Sequence, residues 1–464
     1  MGVERSYAKF DLSSVINPKT LILSLSLGAC ICFLILFLIG VPSNYVLLYM
    51  EPIVYLLFLN LFIRPRFVLG IGCIILLSMY FVKLCIIPIT TVLGNFTSTV
   101  SSAIYDLYWN EACVYIAIEW FIVSLSIRIS GNHYLNKREG EKVTSTKSIL
   151  SWRTYPIYYI AMVGFIGILL ILIALNHDLL NALSFIWQLE DGSPGENGGP
   201  IWFMFKNFIE WTKPMFLFWL TVKVYNSKLK QGKFFLLLVI AFISSIIMTD
   251  YRILSLITGI TILGFILTKY GRFKFLINFV KIICVTLFTL AVYQLTTHGE
   301  ELNQTFANLG RLMDVYCGGY IVAAASCSVH MNNGFLMFIN DTVSGNPLSH
   351  VLFGTISTTA DVINSALNYE AKGTFYELMV QAKDFFGILS PIAVALCVFF
   401  LMKMDFCTIT EDVDLYRIFY IFCSACVGFF MVMYTYSMVT NFIIYKCLVW
   451  LIIIAVDRHI RVKC

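Results

Sequence analysis

The sequence predicts an all-α integral membrane protein with about twelve transmembrane helices and one long polar loop late in the chain. Of its 464 residues, 59% are hydrophobic and only 13% are charged, and the mean hydropathy is +0.83. Soluble domains carry about 25% charged residues, so a chain of this composition cannot hide its apolar surface in a soluble core. The apolar residues also fall into runs of about 20, the length of a helix that crosses a bilayer.

Twelve such runs follow one another, separated by short polar segments, and the seventh and eighth are short. The residues before the first run are polar and no small-residue cleavage site follows it, so we expect the first span to act as its own insertion signal. The predicted spans are Thr20–Ile39, Asn44–Phe62, Phe67–Thr90, Glu111–Ile129, Tyr155–Leu175, Met204–Val224, Phe234–Thr249, Tyr251–Leu267, Phe275–Leu295, Met379–Leu401, Ile418–Tyr436 and Asn441–Val456.

Lysine and arginine residues collect in every second connection between these spans. Basic connections face the cytoplasm, so the bias predicts that both termini are cytoplasmic. We therefore expect one polytopic membrane domain, residues 1–464, with both termini on the cytoplasmic side. The long loop of residues 296–378, between the ninth and tenth spans, would then lie on the outer face and form short amphipathic helices.

Arg252 interrupts apolar sequence with only a short polar turn before it. A cation at bilayer depth costs about 2.5–3.5 kcal/mol on insertion scales, so its side chain needs water, a carboxylate or an anionic ligand. Two interpretations are open. Either Asp250 and Arg252 pair locally and cap the turn, or the guanidinium faces an external cavity that binds phosphate or pyrophosphate, which suits its fork of donors.

The long loop holds further candidate residues. Apolar residues from Thr305 to His330 recur at three- and four-residue spacing, which predicts an amphipathic helix resting on the membrane surface. Arg311 lies on another face of this helix, either as a solvated side chain or as a ligand for an anion. His330 and His350 suit proton transfer near neutral pH, and we prefer His350, although a lone loop histidine is more often a polar surface residue.

Charged residues also lie inside or beside predicted spans. Glu377 and Asp384 are seven residues apart, so one helix face can carry both. Asp384 lies within the tenth span, where an unpaired carboxylate is unfavourable, and Lys383 and Arg311 are its candidate partners. Further charges of this kind are three lysines within spans and two glutamates that are their candidate structural partners, namely Lys83, Lys281, Lys446, Glu51 and Glu119.

This pattern resembles the O-antigen and capsule repeat-unit polymerases of bacterial inner membranes (Wzy-type). Three features carry the resemblance: the many spans with one long late external loop, an arginine at the tip of a short hairpin (TDYRILSLITGI), and the closing sequence GTFYELMVQAKDFFGILSPIAVAL. It covers roughly residues 249–401, and the N-terminal half matches in hydropathy alone. Two positions depart from the family pattern: Tyr251 stands where a small residue is commoner, and Gln381–Lys383 intrudes before Asp384.

The resemblance implies a glycosyltransferase that polymerises undecaprenyl-pyrophosphate-linked oligosaccharide repeat units on the outer face of the membrane. Donor and acceptor are then both lipid-linked glycans, a membrane-bound chain-length regulator is a further expected partner, and no cofactor, metal or nucleic acid is expected. The implied roles fall into two groups. Arg252, Arg311 and Lys446 would bind the pyrophosphate. His350, Asp384 or Glu377 would deprotonate the acceptor hydroxyl.

Two other functions stay open on the sequence. An O-antigen ligase shares this layout but transfers glycan to a lipid core. A transporter or flippase for lipid-linked oligosaccharide is the third hypothesis. Transporters usually show repeats and broken helices in matching halves, and the sequence shows no such symmetry.

Overall fold

A computed structural model shows that all regular structure in the described part of the chain is helical. The structure describes residues 18–40, 46–67, 69–93, 102–140, 156–177, 179, 199–227, 229, 232–246, 252–270, 310, 313–314, 317–329, 331, 333–346, 348–353, 356–359, 361–362, 376–411 and 413–463.

Fifteen helices are numbered here in chain order, and two of them widen into π-helical turns. A 3-10 turn at Gly387–Leu389 joins the twelfth helix to the thirteenth. The helices are α1 (Pro18–Ile39), α2 (Leu47–Phe62), α3 (Ile71–Phe81, a π turn at Val82–Ile86, then Ile87–Leu93), α4 (Ser102–Gly140), α5 (Pro156–Leu175), α6 (Gly199–Asn226), α7 (Lys233–Ile246), α8 (Arg252–Tyr270), α9 (Tyr320–Ser328), α10 (Gly334–Ser344), α11 (Ser349–Leu352), α12 (Leu378–Phe386), α13 (Ser390–Thr410), α14 (Asp414–Met433) and α15 (Tyr436–Asn441, a π turn at Phe442–Cys447, then Leu448–Lys463).

Seven helical segments in the described residues are long and apolar enough to cross a bilayer, which indicates a multi-pass membrane protein. The predicted ninth span, Phe275–Leu295, lies outside the described residues. Each of the other predicted spans falls on a helix, but α2, α7 and α8 have apolar stretches shorter than a full span. The count of about twelve therefore stays a prediction. The seven segments are Pro18–Ile39, Ile71–Val92, Tyr108–Leu135, Pro156–Leu175, Leu378–Thr410, Asp414–Met433 and Tyr436–Ile460.

Helix α14 forms the centre of the bundle, with almost every side chain from Leu415 to Val432 buried. It approaches α3 closely because both helices carry glycine at the crossing. A β-carbon on Gly428 would lie 2.6 Å from the carbonyl oxygen of Gly72. Small residues allow such close backbone contact, which replaces the missing hydrophobic driving force between helices in lipid.

The N-terminus of α3 is fixed by a carboxylate from α13. Asp405 accepts hydrogen bonds from the backbone N–H groups of Gly72 (3.1 Å) and Cys73 (2.8 Å). A helix leaves its first N–H groups without intrahelical partners, and a buried carboxylate there also complements the helix dipole. This contact ties the C-terminal half of α13 to the start of α3.

The predicted tenth span is two helices rather than one. Gly387 has φ +56°, a left-handed conformation, and the chain turns there before Pro391 starts α13. Glycine adopts this conformation without steric cost, and proline is favoured in the first turn of a helix. Helix α12 packs against α13 and places Phe385 and Phe386 against Tyr436 at the start of α15.

The stretch predicted as a surface helix, Thr305 to His330, is helical at most of its described residues, but the helix is interrupted and its second part does not lie on a surface. Gly318 has φ +53° and the chain turns at 317–319, so the regular helix α9 begins only at Tyr320. It is buried rather than lying on a surface, and the Tyr320 ring stacks on Trp109 of α4 at 5.9 Å. Small side chains in its sequence YIVAAASCS allow this close packing, which the spacing of apolar residues does not reveal.

Several charged side chains lie together at one end of the bundle. They belong to connections that the distribution of lysine and arginine predicts on the cytoplasmic side. Asp414 pairs with Lys269 of α8 and with Arg417 of its own helix (3.4 Å). Glu411, in the connection before α14, pairs with Arg458 near the end of α15. The three chain segments therefore meet at one end of the bundle. That this end faces the cytoplasm stays a prediction.

Candidate functional site

Four ionisable or polar side chains form a cluster inside the bundle, here called the Lys83 cluster. The Lys83 Nζ atom lies 3.1 Å from Glu119 Oε1 and 3.2 Å from Glu377 Oε1. The Tyr80 hydroxyl donates a hydrogen bond to the same oxygen of Glu119. All four side chains are buried. The pairing of Lys83 with Glu119 confirms the expectation that a glutamate of the fourth predicted span partners an intramembrane lysine.

Local sequence explains how Lys83 and Glu377 reach this position. Pro88 cannot donate a hydrogen bond to the carbonyl of Leu84, and the preceding turn widens so that the Ile87 N–H bonds to the Val82 carbonyl. Lys83 lies in this π turn. Glu377 is the N-cap of α12, and its second carboxylate oxygen accepts from the Val380 N–H at 2.7 Å, as N-cap residues do. Both oxygens of Glu377 are therefore engaged.

Asp384 lies near the end of α12, close to the Lys83 cluster along the chain. Its carboxylate accepts a hydrogen bond from the Tyr376 hydroxyl. Lys383, the predicted partner, donates instead to the Tyr115 hydroxyl and lies 3.9 Å from Glu111. Asp384 is thus hydrogen-bonded to Tyr376, and the Lys383 ammonium contacts residues of α4.

A second buried cluster, here called the Glu210 cluster, joins α6 to α15. The Lys446 Nζ atom lies 2.7 Å from Glu210 Oε2 and 2.9 Å from Asn207 Oδ1. The same ammonium lies over the Trp211 ring at 5.2 Å, and the Trp211 indole donates to the Tyr445 carbonyl at 3.1 Å. An ion pair, an amide and an aromatic ring thus hold the Lys446 side chain in one place.

Helix α6 also contacts the start of α8, one turn beyond Glu210. Lys213 donates to the Ser255 hydroxyl, and Ser255 lies in the first turn of the helix that begins at Arg252. Residues three apart share a helix face. Glu210 and Lys213 therefore connect α6 to Lys446 and to the start of α8 from neighbouring positions on one helix face.

Both helices are irregular at the Glu210 cluster. Pro214 lies inside α6 and has no N–H, so the Glu210 carbonyl cannot receive its helical hydrogen bond. Lys446 lies in the π turn at Phe442–Cys447 of α15. Single π turns occur often at functional sites, and broken helices at membrane depth are tolerated where they line a protein-enclosed site.

Three of the six predicted site residues, Lys446, Glu377 and Asp384, have described side chains, and these lie in two places. Lys446 and the helix that Arg252 begins meet on α6. Glu377 and Asp384 both lie on or beside α12, with Glu377 in the Lys83 cluster. Arg311 lies outside the described residues. The side chains of Arg252 and His350 also lie outside them, although His350 is placed in α11.

Sequence reasoning passed over Glu210 and Lys213, although a signal was present. Lys206, Glu210 and Lys213 lie four and three residues apart within a predicted span, and so share one helix face. Ionisable residues inside a span are rare and mark functional sites by default. Pro214, which follows directly, was the second signal.

No family model matches this chain, and neither a curated protein nor a solved structure matches it. The fold and the two buried clusters define the class of protein as a multi-pass helical membrane protein with ionisable groups at its centre. Within the described residues no group of three or more metal-ligating side chains is brought together.

Proposed function

We propose that this protein polymerises undecaprenyl-pyrophosphate-linked oligosaccharide repeat units on the outer face of the bacterial cytoplasmic membrane. The product is O-antigen or capsular polysaccharide. The observation that supports the proposal is the Glu210 cluster. Lys446 and the helix that begins at Arg252 contact α6 one turn apart, next to the helical hydrogen bond that Pro214 removes. The resemblance to the Wzy-type polymerases, which includes Arg252, supports the same chemistry.

The physical basis of the proposal is the charge of the leaving group. A glycosyl donor on undecaprenyl pyrophosphate releases a pyrophosphate, so the site needs cations aimed at the charge that develops there. Arg252, Lys446 and Arg311 take this role in the proposal. The apolar bundle around them suits the polyprenyl chain, because ionisable groups at membrane depth mark substrate pathways.

The proposed proton acceptors from the long loop and α12 are His350, Asp384 and Glu377. Glu377 is already bound by Lys83 and by the N-terminus of α12, which favours a positioning role for it. A membrane-bound chain-length regulator belongs to the proposal as a partner.

Deletion of the gene in its host separates the three candidate functions by the surface glycan seen on a gel. Loss of a polymerase leaves single repeat units attached to the lipid core. Loss of a ligase leaves no attached units and accumulates lipid-linked polymer. Loss of a flippase traps lipid-linked units on the cytoplasmic face. The proposal is overturned if the deletion strain shows either the ligase result or the flippase result.

Complementation of the deletion strain then tests the proposed cations. Arg252→Ala and Arg311→Ala are expressed at the level of the unmodified protein, and we expect polymer to be lost or shortened in both. Full-length glycan from both variants would contradict the proposed pyrophosphate clamp.

A further inference from the structure

Glu210 is a buried carboxylate with one oxygen fixed and one open. Lys446 binds Glu210 Oε2 at 2.7 Å. The other oxygen, Oε1, is buried and accepts no hydrogen bond from any described residue. A buried acceptor left without a donor costs about 1–3 kcal/mol. Such an atom points to a donor that the protein chain does not itself supply in the described residues.

The helix backbone is also interrupted at Glu210. Because Pro214 has no N–H, the Glu210 carbonyl lacks the hydrogen bond that residue 214 would donate in a regular helix. The open carboxylate oxygen and the missing helical hydrogen bond thus belong to one residue, which Lys446 contacts from the π turn of α15. Unwound or broken helix segments of this kind line substrate sites in membrane proteins.

Four other buried carboxylates in the described residues lack the combination of contacts seen at Glu210. Asp405 caps α3 and Glu377 caps α12. Glu119 accepts from both Tyr80 and Lys83 through Oε1, and its Oε2 has no partner. Glu51 also has an oxygen without a partner, but no described ammonium is within ion-pair distance of it. Glu210 alone among these combines an open oxygen, a direct cation and a contact with the helix that begins at Arg252.

We propose that Glu210 is the catalytic base that accepts the proton of the acceptor sugar hydroxyl. This inference rests on the proposed polymerase function and assigns the base to α6 rather than to the long loop. The Lys446 ammonium binds Oε2 and orients the Glu210 carboxylate, and in this proposal Oε1 faces the acceptor. Lys206 and Lys213 are the other charged groups of α6 near this ion pair, within electrostatic range of Lys446 and Glu210 respectively.

The step balances as a substitution at the anomeric carbon. The acceptor O–H bond breaks and its proton passes to Glu210 Oε1, while the acceptor oxygen forms the new bond to the anomeric carbon of the donor. The bond from that carbon to the pyrophosphate oxygen breaks, and its electron pair leaves with undecaprenyl pyrophosphate. Glu210 then returns its proton to water. Lys446 is a positioning residue in this scheme.

The test uses the purified full-length protein in liposomes with lipid-linked repeat units isolated from the deletion strain. We expect Glu210→Gln to lower kcat about 10²- to 10⁴-fold, the usual contribution of a positioned base, with KM changed less than about threefold. Glu210→Asp keeps the carboxylate and should recover part of kcat. The matched control is Glu51→Gln, which removes a buried carboxylate with an open oxygen elsewhere in the bundle and should leave kcat unchanged.

The outcomes separate the inference from the function on which it rests. If the unmodified protein makes no polymer from these units, the proposed function fails and Glu210 has no such role. If it does make polymer and Glu210→Gln retains kcat, the assignment of the base is wrong while the function stands. Thermal unfolding of each variant in detergent identifies misfolded protein. Should Glu210→Gln not fold, Glu210→Asp decides, because unchanged kcat and KM in that variant would also contradict a base held at a fixed distance.

Discussion

Lys83 and Glu377 are 294 residues apart in the sequence, and their side chains meet at 3.2 Å inside the helix bundle. Glu119 binds the same ammonium at 3.1 Å, so one lysine connects α3, α4 and the start of α12. Two carboxyl groups thus depend on a single buried cation. Removal of that cation leaves buried acidic groups without compensation, which is the costliest kind of change to a buried ion pair.

Replacement of Lys83 by methionine should therefore destabilise the protein by about 3–5 kcal/mol. Thermal or denaturant unfolding in detergent measures the effect. Addition of Glu119→Gln to Lys83→Met should restore part of the loss, because both members of one pair are then neutral. The control is Lys383→Met: that lysine is half-exposed and 3.9 Å from Glu111, so a cost of about 0–1 kcal/mol is expected. Equal costs at the two lysines would contradict the structure.

The crossing of α3 and α14 gives a second stability prediction. In Gly428→Ala the new β-carbon would lie 2.6 Å from the Gly72 carbonyl oxygen, and the helices must separate. Forced overpacking costs about 1–3 kcal/mol. Gly164→Ala is the matched control, because no atom lies within 4 Å of its added β-carbon and alanine favours a helix by about 0.5–1 kcal/mol. The two substitutions should shift Tm in opposite directions, and a shared direction would rule out the close contact.

Asp314 predicts how stability depends on pH. Burial raises the pKa of its carboxyl from 3.8 to about 7, although the N–H groups of Ile321 and Val322 donate to it and favour the charged form. The unfolded chain then loses this proton at lower pH than the folded protein does. The contribution of Asp314 to the free energy of unfolding is therefore complete below pH 3.8, falls as pH rises, and is lost above about 7.

Measurement of Tm between pH 4 and 8 for the unmodified protein and for Asp314→Asn isolates this contribution. Asparagine has nearly the same shape and does not titrate. The Tm of the unmodified protein, relative to the Tm of Asp314→Asn, should fall steadily as the pH rises over this range. A pH-independent difference would show that the Asp314 carboxyl has the same pKa in the folded and unfolded states.

The sequence predicted helix positions well because membrane spans are encoded locally. An apolar run of sufficient length specifies a helix in lipid whatever its neighbours are, and α14 and α15 begin within a few residues of their predicted starts. The break at Gly387 was missed because hydropathy is continuous across it. Contacts such as Lys446 with Glu210 join residues far apart in the chain, and no local pattern specifies which spans face each other. The π turn at Lys446 likewise leaves no mark in hydropathy.

The proline in α6 provides the sharpest test of a trade-off between stability and activity. Pro214→Ala returns an N–H donor to the Glu210 carbonyl, and removal of a proline from a helix interior recovers up to about 3 kcal/mol. We expect a higher Tm, together with slower polymerisation in liposomes, because a regular helix closes one open acceptor at the proposed site and moves Glu210 relative to Lys446.

Pro52→Ala serves as its control, because Pro52 is also a buried proline inside a helix, α2, and no hydrogen bond or ion pair between described residues joins α2 to the Glu210 cluster. That variant should gain stability without losing activity. If Pro214→Ala keeps full activity while gaining stability, the break in α6 is a packing feature only, and the open carbonyl cannot be part of the site. If both variants lose activity equally, the loss reflects stiffening of the bundle rather than the geometry at Glu210.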